Sequence, residues 1–503
     1  MAARPPAAPG VVAAATLGLG AFLALAPEAP VSRDASFYLY FAQATADGAV
    51  LYRDLYETKT PLSILFGSLV VRAADRLGCE PVPALRAAFP LCALATWLLA
   101  LGYALRRAAR PGFVALPIAS LLAWTIPFSL PATGVVPKTL LILISALQLH
   151  ALEARARVCC GLLASLAFLD WQVGGLLLPA TLAAALFAGW RSRDLALVGL
   201  GFALGLAGAT ALFALQGAAG AFWSTAVAGA ARSEAASAAL PTLAERGLAL
   251  ARAAREAAGP AAALLGAAHL LGIALAARLA KRTRSAAAGF AAAYALAMTG
   301  MAFVEMDGVG DLYPCVAAGA LAQFVAAIEL GTAAGRSPAR IAAAAVAALA
   351  ALAAAAGARG EPEPAAPRFA LADQRRIAQR LFRAAAPERV VSVGYPELHL
   401  LARRIAPGRF VYFSQNTYRA LRRRGEDWPA ALARELAQAG AEAAIVARSQ
   451  SWDGDRRYAE LGGPGPADYR LATLREGSLC YELLVRADSS LAAELALGDR
   501  CEP

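Results

Sequence analysis

Residues 155–193 read RARVCCGLLASLAFLDWQVGGLLLPATLAAALFAGWRSR. A long apolar run carries arginines at both ends, Arg155 and Arg157 before it and Arg191 and Arg193 after it, and is interrupted at its centre by Asp170-Trp171-Gln172. One bilayer crossing would put the two arginine pairs on opposite sides. Two short crossings that turn at the interruption keep both pairs on one side, and short cytoplasmic loops are the ones rich in Lys and Arg. Charge therefore selects two crossings, and the reading is of a polytopic membrane protein with Asp170, Trp171 and Gln172 facing outward.

The pattern extends in both directions. Arg106-Arg107 with Arg110, Arg278 with Lys281, Arg282 and Arg284, and Arg336 with Arg340 are further basic clusters, whereas the alternating connections 130–137 and Glu305 to Asp311 are acidic or neutral. Apolar runs between them give spans near 11–27, 85–105, 113–129, 138–153, 158–169, 173–189, 194–216, 257–278, 286–304, 312–330 and 338–357, about eleven in all, so the chain ends lie on opposite sides. The first run is read as retained. As a secretory segment it would be cleaved after Ala24-Leu25-Ala26, but only Arg4 precedes it. Across 503 residues, 59% apolar composition and a mean hydropathy of +0.53 describe a membrane protein. The net charge of +11 is accounted for by span orientation, which argues against nucleic-acid binding. Abundant alanine, glycine and arginine point to a GC-rich bacterium and hence to its inner membrane.

The polar segment 28–83 is far too long to be a connector. Within it 35–46 reads as a helix with Phe37, Tyr40, Phe41 and Ala44 on one face and Gly48 as its stop, and Pro61 to Leu77 reads as a second helix. Both are expected to lie along the outer leaflet. A second outer loop, 217–255, carries Phe222, Trp223, Arg232, Arg246, Arg252 and Arg255, its aromatics suited to the same interface. Beyond the membrane domain (1–357) a Pro-rich linker, Glu361 to Pro367, opens a C-terminal soluble α/β domain (358–503). Strands are expected at Val390–Val393, Phe410–Phe413, Ala443–Ala447 and Tyr481–Val485, with helices near 371–385, 397–405 and 428–439. It shows no phosphate loop, nucleophile elbow or metal cluster and reads as a structural or docking appendage, expected on the extracytoplasmic side. Of the seven cysteines none has zinc-site spacing; an exported C-terminal domain would permit a bridge between Cys480 and Cys501.

Chemistry concentrates in the first outer loop: Arg33-Asp34-Ala35-Ser36-Phe37-Tyr38, then Gly48, then Leu51-Tyr52-Arg53-Asp54-Leu55-Tyr56-Glu57-Thr58-Lys59-Thr60-Pro61-Leu62. An acid directly after the first span, a helix ending in glycine, a Tyr-x-Asp and a Lys-x-Pro opening a further helix resemble the polytopic GT-C glycosyltransferases, specifically the branch of protein mannosyltransferases and aminoarabinose lipid A transferase. The resemblance covers this loop in order and the span layout to about residue 357. It implies transfer of a sugar from a polyprenyl-phosphate carrier to an extracytoplasmic acceptor among the membrane lipids, glycans or proteins.

The residues can be weighed against that reaction. An acceptor hydroxyl must lose its proton as it attacks the anomeric carbon, and Asp34 is the candidate base; it equally suits an N-cap. The leaving lipid phosphate calls for cations, and Lys59 is the candidate, with Arg33 and Arg232 as weaker members of that pool; a snorkelling lysine is its bland alternative. Tyr52 and Asp54 match the Tyr-x-Asp, either orienting a sugar hydroxyl or bracing the loop, and Glu57 is similar. Asp170, Trp171 and Gln172 could stack on and hydrogen-bond to a sugar or acceptor. Asp311 and Tyr313 stand ahead of Pro314 where relatives carry a His-Tyr pair, and Lys138 stands where they carry an acid. These departures leave metal use open, with no cofactor assigned and a divalent metal as the one candidate. The competing readings are a transporter or flippase of an amphipathic lipid and an inactive scaffold of the same class. Few ionisable residues lie within the spans, whereas acids gather at one surface, which favours surface chemistry over transit.

Overall fold

The computed structural model describes residues 31–107 (Ser32 apart), 138–228, 243–258, 262–304, 309–333, 370–407, 428–449 and 467–497 (Ala496 apart). The expected spans 11–27, 113–129 and 338–357 and the expected strand 410–413 lie outside the described residues.

Two helices follow the first outward position: α1 (Arg33–Ala46) and α2 (Leu62–Arg76). The helices that follow are α3 (Pro81–Arg107), α4 (Lys138–Glu153), α5 (Arg157–Asp170), α6 (Leu177–Phe187), α7 (Ser192–Leu215), α8 (Leu243–Ala258, a charged helix within the segment expected as a loop), α9 (Ala262–Thr283), α10 (Ala286–Val304) and α11 (Val309–Ala333). Among the described residues, Pro81–Arg107, Ser192–Leu215 and Ala286–Phe303 are long and apolar enough to cross a membrane. Helices α9, α10 and α11 pack on one another, α6 on α10, and α4 joins α3 to α5. Their shared core is alanine-rich around Tyr103, Phe290, Tyr294 and Phe324. Small residues let helix backbones approach where lipid gives no hydrophobic drive to association. The tightest pair is α5 with α7: a Cβ at Gly161 would run into the carbonyl of Val198, and one at Gly201 into that of Val158.

The break inside 155–193 falls where charge places it. Helix α5 ends at Asp170, Trp171 is extended (φ −153°, ψ 136°), and a 3-10 turn Gln172–Leu176 leads into α6. The chain doubles back closely enough that Gly174 lies against the carbonyl of Ala167.

Helix α1 corrects one expectation. Phe37, Tyr40, Phe41 and Ala44 are buried as the periodicity requires, but so are Ser36, Leu39, Ala42 and Gln43 on the other faces. It is an internal helix, enclosed by α2 and by residues Leu371, Leu400 and Ala406 of the C-terminal domain. Only α2 is amphipathic, burying Ser63, Ile64, Gly67, Ser68, Val71 and Ala74 while Leu69 and Leu77 are exposed. Phe222 is likewise fully buried rather than interfacial; Trp223 is exposed.

The C-terminal domain contains α12 (Leu371–Ala384), β1 (Val390–Ser392), α13 (Glu397–Leu401), α14 (Trp428–Gln438), β2 (Ala443–Ser449), β3 (Tyr469–Glu476) and β4 (Leu479–Arg486). Its sheet order is β1-β2-β4-β3; β1 runs parallel to β2 (Val390 opposite Ala443), and β4 is antiparallel to both neighbours (Val485 opposite Ala443, Tyr469 opposite Arg486). Strand β3, an edge whose charged Arg470 and Arg475 obscure its alternation, was not expected from sequence. Cys480 is disulfide-bonded while Cys79, Cys92, Cys159, Cys160 and Cys315 are free; Cys501, its expected partner, lies outside the described residues.

Candidate functional site

The loop between α1 and α2 is a braced structure rather than a flexible connection. Gly48 turns the chain at φ +106°. Tyr52 then sits at φ 71°, a left-handed conformation that costs a bulky residue on the order of 1–3 kcal/mol and persists only where the surroundings over-determine it. Here they do. The Tyr52 amide donates to the carbonyl of Leu55 (2.9 Å), its ring is fully buried at 5.2 Å from Phe213 and 5.5 Å from Phe222, and its hydroxyl donates to the carbonyl of Lys59 (2.8 Å). Burial and the nearby Glu57 carboxylate hold the phenol well above its usual pKa, so it remains a donor.

Asp54 is spent in the same way. It accepts from the amide of Val50 (2.8 Å) and from two nitrogens of Arg53 (2.8 and 2.9 Å), and Arg53 reaches on to the carbonyl of Gln216 (3.1 Å) at the end of α7. Glu57, buried, accepts from the amide of Lys59 (2.7 Å). Burial raises its pKa, and the amides and charge of Lys59 and its neighbour Thr58 pull it back down. The main chain of Lys59 is thus held on both its N–H and its C=O.

The turn after α5 closes on this loop from the other side. Ser63, in the first turn of α2, donates to Asp170, as does the amide of Leu141 in the first turn of α4. Gln172 donates from one nitrogen to the carbonyls of Thr58 (2.7 Å) and Ala226 (3.0 Å). Ala226 lies in a π-turn, Trp223–Val227, that follows the short helix Ala219–Phe222, and such wide turns displace carbonyls from ordinary helical pairing. Three distant segments therefore meet around residues 57–63. Lys138, at the head of α4, lies 5.2 Å above the ring of Trp171.

The structure places the four residues named for sugar or acceptor contact as follows: Tyr52 is buried with its hydroxyl engaged, Asp170 is 1% exposed and tied to α2, Trp171 is mostly buried with Lys138 over its face, and the Gln172 amide nitrogen donates to two carbonyls. Asp54 braces as well. Their common reason is that a loop carrying chemistry at a membrane surface needs its own backbone satisfied first. Asp34 lies within the first turn of α1, where an acid also complements the helix dipole, rather than ahead of it as a cap would; Arg33 precedes it. The side chains of Arg33, Asp34, Asp311 and Tyr313, and all of Arg232, lie outside the described residues; Asp311 and Tyr313 fall near the start of α11, with Pro314 inside that helix. Sequence reasoning missed Ser63, whose one signal is its place in the first turn after Lys59-x-Pro61. Among the described residues no three His, Cys, Asp or Glu side chains group as a metal site, though Asp170 keeps one carboxylate oxygen without a hydrogen-bond partner. A cavity of about 20 Å³ between α3, α4, α10 and α11, lined by Tyr103, Ser145, His150 and Tyr294, has room for about one water and is no sugar site.

No family model and no curated protein matches the sequence. Solved structures do match. ArnT from Cupriavidus metallidurans in the apo state superposes with a TM-score of 0.56 at 16% identity, covering 96% of this chain and 98% of that one. The same protein bound to undecaprenyl phosphate gives 0.55 at 15% identity over the same shares. The oligosaccharyltransferase of Archaeoglobus fulgidus in its apo form gives 0.53 at 13% identity, over 97% of this chain and 77% of that one. Over nearly its whole length the chain therefore has the GT-C fold of ArnT and the archaeal oligosaccharyltransferase.

Proposed function

We propose that the protein is a membrane glycosyltransferase that moves a sugar, with inversion, from a polyprenyl-phosphate carrier to an acceptor on the extracytoplasmic side. The observation that carries this reading is the braced loop that presents Lys59, on a fold shared with a protein solved bound to undecaprenyl phosphate. In the reaction the acceptor oxygen bonds to the anomeric carbon as the bond from that carbon to the phosphate oxygen breaks. The acceptor proton passes to Asp34, and polyprenyl phosphate leaves with the bonding pair. Lys59, its backbone fixed at both polar atoms, meets the charge that grows on the phosphate, an interaction that strengthens towards the transition state.

About eleven spans, ends on opposite sides and an extracytoplasmic C-terminal domain complete the proposal. What supports the last is that the domain packs on α1 and α2 through Leu371, Leu400 and Ala406, and that its Cys480 is disulfide-bonded, as suits an oxidising compartment. The test uses bacterial membranes expressing the full chain and tritiated glucosyl-undecaprenyl phosphate. Release of undecaprenyl phosphate with label moving to another molecule is expected for wild type, and a Lys59→Ala loss of at least about 100-fold. Movement of intact labelled lipid across vesicles with no cleavage would replace the transferase reading with that of a flippase.

A further inference from the structure

Helix α12 buries Leu371, Gln374, Ile377, Ala378 and Leu381, an i, i+3, i+6, i+7, i+10 face that is apolar except for a glutamine. A fully buried primary amide needs partners for both its atoms, because an unsatisfied one costs roughly 1–3 kcal/mol. Gln374 finds both in one residue. Its Oε1 accepts from the amide of Val31 (2.8 Å) and its Nε2 donates to the carbonyl of Val31 (3.1 Å). Side-chain amides alone present an acceptor and a donor in this arrangement, so Gln374 pairs with the main chain as a neighbouring strand would. Val31 is itself fully buried, and α1 begins two residues later.

From this geometry we infer that the C-terminal domain is a clamp on the start of α1: Gln374 fixes the main chain of Val31 and so sets the position of the Arg33-Asp34 turn. The inference deepens the transferase reading and rests on it for the importance of Asp34. The other ties between the two regions have different standing. Arg375 with Glu80 and Arg403 with Asp75 are exposed ion pairs of the kind worth little, and the amide of Ala406 donates to the Tyr40 hydroxyl (2.9 Å) well along α1 from Asp34. Of these interdomain ties among the described residues, that of Gln374 is the one made at the approach to the turn. Gln374 is thus a positioning residue, acting through Val31 on Asp34.

The test compares Gln374→Ala and the milder Gln374→Glu, which keeps an acceptor for the Val31 amide and, only as the neutral acid, a donor to its carbonyl, with Tyr40→Phe as the control that removes an interdomain bond elsewhere on α1. Hydrogen exchange of segment 31–36 in full-length protein in nanodiscs is expected to rise at least about 10-fold in Gln374→Ala, to rise less in Gln374→Glu, and to change little in Tyr40→Phe. With tritiated glucosyl-undecaprenyl phosphate, Gln374→Ala is expected to lose at least about 10-fold in kcat with donor KM within about 2-fold, whereas Tyr40→Phe keeps kcat. Unchanged exchange at 31–36 in Gln374→Ala overturns the clamp, and faster exchange with wild-type kcat overturns the positioning role. Wild-type protein inert towards this donor would count against the transferase reading alone, leaving the exchange arm to decide the clamp.

Discussion

The outer loop and the basic rim of the helix bundle use polar side chains in opposite ways. At the rim, charge meets charge. Arg107 pairs with Glu153 (3.0 Å) and Glu329 (2.8 Å), Arg157 with Asp194 (2.6 Å), and Ser285 adds a hydroxyl to Glu329 (2.8 Å). These contacts staple helix ends and leave the arginines more than a third exposed. In the outer loop, side chains grip the backbone instead: Tyr52 on Lys59, Glu57 on Lys59, Gln172 on Thr58 and Ala226, Gln374 on Val31. An exposed ion pair fixes an end loosely and is screened by salt, whereas a buried bond to main chain fixes its course. The difference marks the loop as the part whose shape is demanded by something other than stability.

Breaking the loop should therefore cost far more than breaking the rim. The largest effect is expected for Asp170→Ala, which strands the buried Ser63 hydroxyl and the Leu141 amide; about 3–5 kcal/mol of stability should be lost, read as a depressed Tm in detergent. A comparable loss should come from pH. His399 is fully buried, its Nε2 donating to the carbonyl of Val390 (2.9 Å) with its ring against Phe382, and burial depresses its pKa from 6.5 to about 4. The unfolded chain takes up the proton first, so stability present above pH 6.5 falls as pH drops towards 4, by about 3 kcal/mol in total. Since Gln374 links that domain to α1, protection at segment 31–36, taken relative to the intrinsic amide rate at each pH, should fall over the same window while the rim helices stay protected, and both effects should vanish in a stable neutral replacement, His399→Gln.

Smaller effects sharpen the contrast. Gln172→Leu frees two carbonyls and should cost about 2 kcal/mol, with faster exchange confined to 57–63 and 223–228. Tyr52→Phe keeps the ring packing and should cost only about 1 kcal/mol, yet it releases the Lys59 carbonyl and should lower transfer more than stability. Arg157→Ala, at the rim, whose partner Asp194 keeps its bond to the Arg191 amide, should fall below about 1 kcal/mol and leave transfer unchanged. An equal loss of transfer from the rim variant would erase the distinction.

Much of this was legible in the sequence, and the boundary is physical. Helices α1 and α2, the break at Asp170-Trp171-Gln172 and, among the described residues, helices α3 to α7 and α9 to α11 follow from local periodicity and from which short segments carry arginine, whereas α8 lies in a segment read as a loop. Bracing was one of two readings the residues allowed for Tyr52 and Asp54, and the Tyr52 hydroxyl on the Lys59 carbonyl and the Asp54 carboxylate on the Val50 amide are bonds of that kind. What the sequence did not give were contacts between residues far apart in the chain. Ser63 meets Asp170 across 107 positions and Gln374 meets Val31 across 343. No spacing rule reaches that far, and the burial of α1 on every face depends on a domain that follows it by more than 300 residues. A buried glutamine in the apolar face of α12 was the signal available, since such an amide must have a partner.

The central claim is that the turn at the head of α1 supplies the base for sugar transfer. Its most direct measurement is the turnover of tritiated glucosyl-undecaprenyl phosphate by Asp34→Asn, in protein whose Tm and exchange at 31–36 match wild type. Transfer reduced by at least about 100-fold with the fold intact is the result expected, because asparagine keeps the size of aspartate and its aptitude for a helix start but accepts no proton. Wild-type turnover in that variant would contradict the account.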